Sequence, residues 1–377
     1  MKYDICIIGG AGHVGLPLGV SFANKGLKVA LLDINTEWLK IIQSGKFPFK
    51  EKNGDKELKK ALKNLFTSDD PRTISLSKFV ILVVGTPTDK YLSPDLGGLN
   101  KVIDSYRSYF KDGQILILRS TLYPGTSERI QKYLNIPVSF CPERIVQGSS
   151  LQELSILPQI VSAFDKKTEK EVSRLFKKIT KVITISPMEA ELSKLFSNAW
   201  RYINFAVANQ FFMIAKDHKL DYLRIYNAMI QDYPRNRGLQ APGFTAGPCL
   251  LKDTLQLAVF GNNNFFLGYS AMLTNEGLPG YILRTLDLNN KTVGILGMAF
   301  KADSDDNRDS LSYKLRKLAQ MDAKRVLCHD VYIKGFDTLD GVLKCDIVIL
   351  ATPHKEYKKI NPQKYRGKFV DIWGFWK

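Results

Sequence analysis

Residues 2–9, KYDICIIG, form an apolar run rich in isoleucine, followed at once by the glycine-studded turn GGAGHVG. From Ile5 to Ile8 both alternating sets of positions are apolar, so the run reads as a buried strand of a parallel sheet. A helical stretch through about Lys25 comes next, then LKVALLD, a second strand ending in Asp33. Strand, helix and strand in about thirty residues make a β-α-β unit. Further strand-like runs are KFVILVVGTP (78–87), QILILRST (114–121), IPVSFCPE (136–143), QIVSAF (159–164) and KVITIS (181–186). Amphipathic or charged segments separate them, which predicts a doubly wound α/β domain.

From Met188 the texture changes. MEAELSKLFSNAWRYINFAVANQFFMIAKDHK contains no proline or glycine and reads as one long helix, apolar over much of its surface. Such a helix is usually buried on several sides, often between two copies of a chain, and a homodimer through residues 188–217 is expected. More helix follows through about Val259, with a loop between Asp232 and Gly247. The strand pattern returns in KTVGILGMAF (291–300), AKRVLCHD, CDIVILATP and GKFVDIW. The expected architecture is therefore α/β: an N-terminal Rossmann-type domain (1–187), a helical connector with one long helix (188–287) and a C-terminal Rossmann-like α/β domain (288–377). A chain of 377 residues is also too long for one ordinary core.

The 45% hydrophobic and 24% charged residues suit a soluble globular protein. The start, MKYDICIIGG, lacks the pattern of a secretory signal, and no apolar run approaches the ~20 residues of a membrane span, so a cytoplasmic protein is expected. Five cysteines, an odd number without a C-x-x-C pair, argue against a disulfide framework and a zinc site. The four histidines are scattered, and no metal is expected. The net charge of +17 attracts anions, but the lysines form no single basic block. Small phosphorylated ligands are the expected partners, not nucleic acid and not a membrane.

Gly10-x-Gly12-x-x-Gly15 lies between predicted strand and predicted helix. There the first glycine permits a tight turn, the second lets a pyrophosphate approach the backbone, and the third lets helix pack on strand. The turn, with His13 and Val14, would then carry phosphates at a helix N-terminus. Asp33 would accept hydrogen bonds from a ribose diol and repel a 2′-phosphate, which favours NAD over NADP. On this motif alone FAD stays open. VGTP, with Thr86 and Pro87, and RSTLYPGT, with Thr121, end predicted strands, where ligands of open α/β sheets lie. Either threonine can offer a hydroxyl to the nicotinamide side or simply cap its strand.

Cys249 follows the small, flexible loop APGFTAG, which includes Gly243 and Phe244 and can close around a ligand. CLLKDTLQLAVF looks helical, so Cys249 falls at a helix N-terminus, where free N–H groups favour a thiolate. Lys252 adds positive charge, and Asp253 shares a helix face with the cysteine. A packed, inert thiol is the alternative. Lys194 and Asn198 are likewise one turn apart on the long helix and can polarise an oxyanion, or they are an exposed lysine and a locally bonded asparagine. Glu143, in CPER, is a candidate base or orienting acid, or one half of a surface ion pair.

Taken together, the glycine fingerprint with Asp33, VGTP, STLYPGT, CPER, EAELSKLFSNAW, GFTAGPCLLKD, GMAFKADSDDNRDS and DIVILATPHKEY resemble, in order, the motifs of the nucleotide-sugar 6-dehydrogenases. That family includes UDP-glucose, GDP-mannose and UDP-N-acetylhexosamine dehydrogenases, and the resemblance runs over nearly the whole chain. It implies NAD as cofactor, an NAD-binding first domain, a dimerising central domain with the cysteine motif, and a UDP-sugar-binding last domain. It implies four-electron oxidation of a sugar C6 hydroxyl to a uronic acid, feeding surface polysaccharide. Cys249 would capture the C6 aldehyde as a thiohemiacetal that is oxidised to a thioester and hydrolysed. Lys194 and Asn198 would stabilise the oxyanion, and Asp253 would position or activate water. Thr121 and Glu143 match the family threonine and glutamate, Lys301 matches a substrate-contacting lysine, and Arg308 an arginine near the cofactor.

The chain departs from the UDP-glucose pattern at Gln147, where that group has a second glutamate, and at Arg144, where it has phenylalanine. CPERIVQGSSLQEL looks more like the N-acetylhexosamine branch, whereas GPCLLKD keeps a Lys-Asp pair closer to UDP-glucose enzymes. In the short loop DYPRNRGLQAPGF, Arg235 or Arg237 is the candidate for a family arginine that reaches substrate. Two other readings stay open: a two-electron β-hydroxyacid dehydrogenase of the 6-phosphogluconate type, and a nucleotide-binding module without catalysis.

Overall fold

The computed structural model describes residues 1–85, 96–244, 247 and 249–376, residue 96 by its backbone alone. The chain divides into two compact units, Met1–Phe196 and Ser197–Lys377.

The first unit comprises β1 (Tyr3–Ile8), α1 (Gly15–Ala23), β2 (Val29–Leu32), α2 (Thr36–Gln43), α3 (Gly54–Ala61), β3 (Leu65–Ser68), β4 (Ser77–Leu82), α4 (Leu96–Tyr106), β5 (Ile115–Leu118), α5 (Thr126–Leu134), β6 (Val138–Phe140), α6 (Ser150–Ile156), β7 (Gln159–Ala163), α7 (Lys166–Phe176) and β8 (Val182–Thr184). Its sheet runs β3-β2-β1-β4-β5-β6-β7-β8. All neighbours are parallel except β6 and β7. Alternate residues of β1 enter different cores: Ile5 and Ile7 join Leu31 and Ile81 in one, Cys6 and Ile8 join Val80 and Leu82 in the other. Burial on both faces is why Ile5–Ile8 is apolar without a break, while Asp4, before it, is exposed. Ile5 is in register with Val29 of β2 on one side and Phe79 of β4 on the other. The chain leaves β1 toward β2 and later returns to β1's opposite edge as β4. That reversal opens a crevice beyond the carboxyl ends of the two strands.

In the second unit, α8 (Pro187–Asp217) enters from the first and is followed by α9 (Tyr222–Ile230), α10 (Leu250–Phe260), α11 (Phe266–Arg284), β9 (Thr292–Leu296), α12 (Leu311–Asp322), β10 (Arg325–His329), α13 (Leu339–Leu343), β11 (Ile347–Leu350) and β12 (Lys368–Asp371). The parallel strands run β10-β9-β11-β12.

One feature differs from the sequence reading. β3, LFTS, was not expected, because only Leu65 of its four residues is buried and nothing in it alternates over a useful length. The long helix is present, and within one chain it leaves an apolar stripe uncovered. Phe196, Trp200, Val207, Phe211 and Ile214 are exposed along it, Trp200 by 63%. Among the described residues, no helix is long and apolar enough to cross a membrane.

Candidate active site

In the first unit, the glycine turn sits where β1 gives way to α1. A Cβ on Gly10 would lie 2.8 Å from the Ile7 carbonyl oxygen and the Leu31 Cα, and one on Gly15 would lie 2.4 Å from the Gly9 carbonyl oxygen. These two glycines are required by the protein's own packing. Gly12 is not: a Cβ there would meet only the Gly9 oxygen, at 3.6 Å. The half-exposed Gly12 therefore borders open space, as a residue does where a ligand must approach. α1 has no side-chain cap and no acidic residue in its first turn, so its N-terminal end suits a phosphate. His13 is stacked on Phe49, with ring centroids 4.0 Å apart, and Val14 is the N-cap residue.

Asp33 follows β2 directly. One carboxylate oxygen accepts from the Ala11 amide at 2.9 Å and the other from the Asn35 amide at 3.0 Å. The carboxylate is thus fixed beside the glycine turn, where a ribose diol of NAD would meet it. The residues present fit that cofactor. Thr86 and Pro87 lie outside the described residues. Thr121 is half-buried beyond the end of β5.

Glu143, beyond β6, forms no surface ion pair. Its partner is Arg119, a fully buried guanidinium that also donates to Gln159 at 2.7 Å. The other carboxylate oxygen of Glu143 accepts from the Arg144 and Ile145 amides at 2.6 and 2.9 Å. Burial works against the charge of Glu143, but Arg119 and the two amides outweigh it and hold the carboxyl below its ordinary range. The Arg144 side chain turns back to the Pro158 carbonyl. Gln147 is half-buried in the loop that follows.

A contact not anticipated from the sequence ties two motifs together. Glu191, 1% exposed on α8, accepts from the Gly125 amide at 2.6 Å and the Ser127 amide at 2.9 Å. It thereby holds the turn of STLYPGT, which carries Thr121, against the first turns of α8, which carry Lys194. Lys194 is half-buried, one turn before Asn198.

In the second unit, Cys249 is the N-cap residue of α10 and is exposed. The other four cysteines are buried. Burial pushes the Cys6 thiol up to about 12 and those of Cys141 and Cys328 up to about 11. Among the described residues only Cys249 combines solvent access with a helix N-terminus. One turn on, Asp253 is fully buried. One of its oxygens accepts from the Asn198 amide nitrogen at 2.5 Å; the other lacks a hydrogen-bond partner and lies 3.4 Å from the Lys252 ammonium. An unsatisfied buried carboxylate oxygen is a place for an ordered water.

Arg308 is bound through two nitrogens to Asp306 and lies within electrostatic reach of Cys249. Gly247, at φ +107°, brings the loop here: its amide donates to the Asp309 carbonyl at 3.3 Å, and a Cβ would strike the Phe300 ring. Lys301 is half-buried with its ammonium 5.8 Å from the centroid of that ring. Phe244 puts its side chain into the hydrophobic core, so what it can offer a ligand is backbone. Arg235 is exposed and rests on Tyr233. Beyond the strand ends, Asp330 accepts from four amides, those of Met298, Ala299, Tyr332 and Ile333. It also pairs with buried His354 at 3.1 Å.

The geometry thus collects Cys249, Lys252, Asp253, Asn198 and Arg308 in the second unit, and Gly12, His13, Asp33, Thr121 and Glu143 at strand ends in the first. Among the described residues, no group of three or more His, Cys, Asp or Glu is placed to hold a metal.

The NAD binding domain of the UDP-glucose/GDP-mannose dehydrogenase family matches residues 3–180, its central domain 188–274 and its UDP binding domain 294–376. A UDP-N-acetyl-D-mannosamine dehydrogenase of Pyrococcus horikoshii is 29% identical over 93% of this chain and 90% of its own. One of Methanocaldococcus jannaschii is 29% identical over 96% and 88%. The solved structure of the UDP-D-ManNAc dehydrogenase from Pyrococcus horikoshii superposes with a TM-score of 0.91, covering 99% of this chain and 96% of that one at 27% identity. The chain belongs to the UDP-glucose/GDP-mannose dehydrogenase family and is an NAD-dependent nucleotide-sugar dehydrogenase.

Proposed function

We propose that the chain oxidises the C6 hydroxyl of a UDP-N-acetylhexosamine to the uronic acid in four electrons, with Cys249 as the covalent nucleophile. The observation that carries this is the position of Cys249: an exposed thiol at the N-terminus of α10, with Arg308 in electrostatic reach and Asp253 one turn away. NAD, when bound, takes up the hydride from each of two oxidation steps. The first step converts the alcohol to an aldehyde. Cys249 then adds to the aldehyde carbon as a thiolate, and the oxygen gains a proton to give a thiohemiacetal. Loss of the second hydride and of that proton leaves a thioester. Water cleaves it, releasing the carboxylate and returning the thiol.

Asn198 is the amide that holds Asp253, and the unsatisfied oxygen of Asp253 is the acceptor proposed for the hydrolytic water. Lys194, on the same helix, supplies positive charge for the oxyanion. Glu143, already ionised by Arg119, acts as an orienting carboxylate more readily than as a proton acceptor. Lys301 and Arg235 supply cationic contacts for the nucleotide sugar, and Arg308 supplies one near the cofactor. Residues 1–187 serve NAD, 188–287 dimerise and carry the cysteine, and 288–377 hold the UDP sugar. The exposed apolar stripe on α8 supports the homodimer. The choice of an N-acetylhexosamine rests on the relatives named as UDP-N-acetyl-D-mannosamine dehydrogenases and on CPERIVQGSSLQEL. A cytoplasmic enzyme feeding uronic acids into surface polysaccharide is the corresponding setting.

The test is turnover of UDP-ManNAc, UDP-GlcNAc and UDP-glucose with NAD, counting NADH per sugar, in the wild type and in Cys249→Ala. Two NADH per sugar, an acyl adduct on Cys249 by mass spectrometry, and no acid from Cys249→Ala are expected. One NADH per sugar with free aldehyde would leave the two-electron reading in place.

A further inference from the structure

Gly243 opens the loop that ends at Cys249, and its backbone is held from an unexpected direction. Asn209 projects from α8 and is completely buried. Its carboxamide oxygen accepts from the Gly243 amide at 2.8 Å, and its nitrogen donates to the Gly243 carbonyl at 3.1 Å. One side chain therefore pairs with both polar groups of a single residue, as a neighbouring strand would. The same nitrogen donates to Asn275 of α11 at 2.9 Å, and Asn275 in turn donates to the Tyr202 carbonyl at 3.1 Å. This chain fixes which end of the Asn209 amide points which way, because a flipped amide would face donor with donor at Gly243. On its far side, Gly243 lies under the six-membered ring of Trp373, where a Cβ would come within 2.2 Å of ring carbon. Trp373 is itself anchored by its indole N–H to the Ala351 carbonyl at 3.2 Å.

The loop is thus pinned at Gly243 by an amide clamp and an aromatic lid, at Gly247 by Phe300 and Asp309, and at Cys249 by the start of α10. We propose that Asn209 is a positioning residue for the reaction: through Gly243 it sets where the Cys249 thiol stands relative to Arg308 and Asp253. The inference rests on the proposed role of Cys249 for its effect on turnover, but not for its effect on the thiol's placement. The buried carboxamide of Asn209 turns both its polar ends to the loop that leads to the thiol, so its removal acts on that loop first. A misplacement of the reacting group by about 1 Å costs on the order of 100-fold in rate.

The experiment compares Asn209→Ala with Asn275→Ala. Both cut the same buried amide chain, but only the first releases Gly243. Three quantities are read in each: melting temperature, kcat and KM with nucleotide sugar and NAD, and the rate of iodoacetamide alkylation at Cys249, followed by peptide mass spectrometry. The four other thiols are buried, so Cys249 reports first. The two variants are expected to lose similar melting temperature. Asn209→Ala should lower kcat by roughly 10- to 100-fold with little change in KM, and should shift the alkylation rate; Asn275→Ala should do neither to that extent. Equal loss of kcat per degree of melting temperature in both variants would reduce Asn209 to a packing residue and overturn the proposal. So would an alkylation rate in Asn209→Ala equal to wild type. Should Asn209→Ala not fold, Trp373→Phe loosens Gly243 from the opposite face, and the same two outcomes apply. If Cys249→Ala still makes acid, the nucleophile assignment fails by itself, while alkylation in Asn209→Ala continues to decide the positioning claim.

Discussion

Gly12 and Gly15 belong to one short turn, yet the structure separates their reasons for being glycine, and a pair of alanine substitutions tests the separation. In Gly15→Ala the new methyl would sit 2.4 Å from the Gly9 carbonyl oxygen and 2.8 Å from the Gly10 Cα, both backbone atoms that cannot rotate away. Forcing α1 off β1 is an overpacking change, which costs about 1–3 kcal/mol. For a unit of the size of Met1–Phe196 this is a fall of roughly 3–10 °C in melting temperature. In Gly12→Ala the methyl meets one atom, at 3.6 Å, an ordinary contact. Melting of the cofactor-free protein should therefore stay within about 1 °C of wild type, or rise slightly because alanine restricts the unfolded chain. The methyl would instead occupy the open side of the turn, where the proposed site puts the pyrophosphate of NAD. Affinity for NAD should fall at least tenfold, equivalent to about 1.4 kcal/mol. Differential scanning calorimetry of the apo variants and titration calorimetry with NAD read the two effects separately. Wild-type NAD affinity in Gly12→Ala would mean that the dinucleotide does not cross this backbone.

Three further outcomes are expected. Burial works against the charge of Asp330, but His354 and backbone amides outweigh it, and its carboxyl titrates at about 2. A carboxyl depressed from an ordinary value near 4 contributes about 2 kcal/mol that is complete above that value and lost as pH falls through about 2; the gap in melting temperature between wild type and Asp330→Asn should therefore narrow between pH 5 and 2, and a constant gap refutes it. Arg119→Met strands the Glu143 carboxylate and should cost about 3–5 kcal/mol, with part regained in Arg119→Met/Glu143→Gln; a double variant no more stable than the single one contradicts the buried pair. Trp200→Glu puts a charge in the exposed apolar stripe of α8 and should shift the oligomer toward monomer in light scattering coupled to size exclusion; an unchanged mass places the dimer contact elsewhere.

Much of the fold is legible because its signals are local. β1 betrays itself by being apolar on both faces, and Cys249 by preceding a helical run after small residues. β3 is not legible: an edge strand with one buried residue owes its existence to pairing with β2, Leu65 beside Val29. Roles that depend on distant partners are hidden in the same way. Glu191 reaches a turn 66 residues earlier, and Asn209 reaches Gly243, 34 residues later. In sequence, one is a helix-forming glutamate and the other an asparagine inside an apolar helix. The only available signal for Asn209 is its type: a buried amide in a helix interior must find partners.

Those hidden residues share one chemical task, and it follows from where ligands bind in such sheets. Loops beyond the strand ends must leave the ladder to present backbone to a ligand, so their N–H groups lose their strand partners while remaining partly buried. Something must satisfy them. Asp33 does so for Ala11 and Asn35, Glu143 for Arg144 and Ile145, Glu191 for Gly125 and Ser127, Asp330 for four amides, and Asn209 for Gly243. An acceptor-only side chain suits a cluster of N–H donors, and a carboxamide suits the one position where a carbonyl must be matched as well. In a chain with 54 basic and 37 acidic residues, these inward-facing carboxylates are therefore spent on shaping loops. The remaining excess of cations suits phosphorylated ligands such as NAD and a nucleotide sugar.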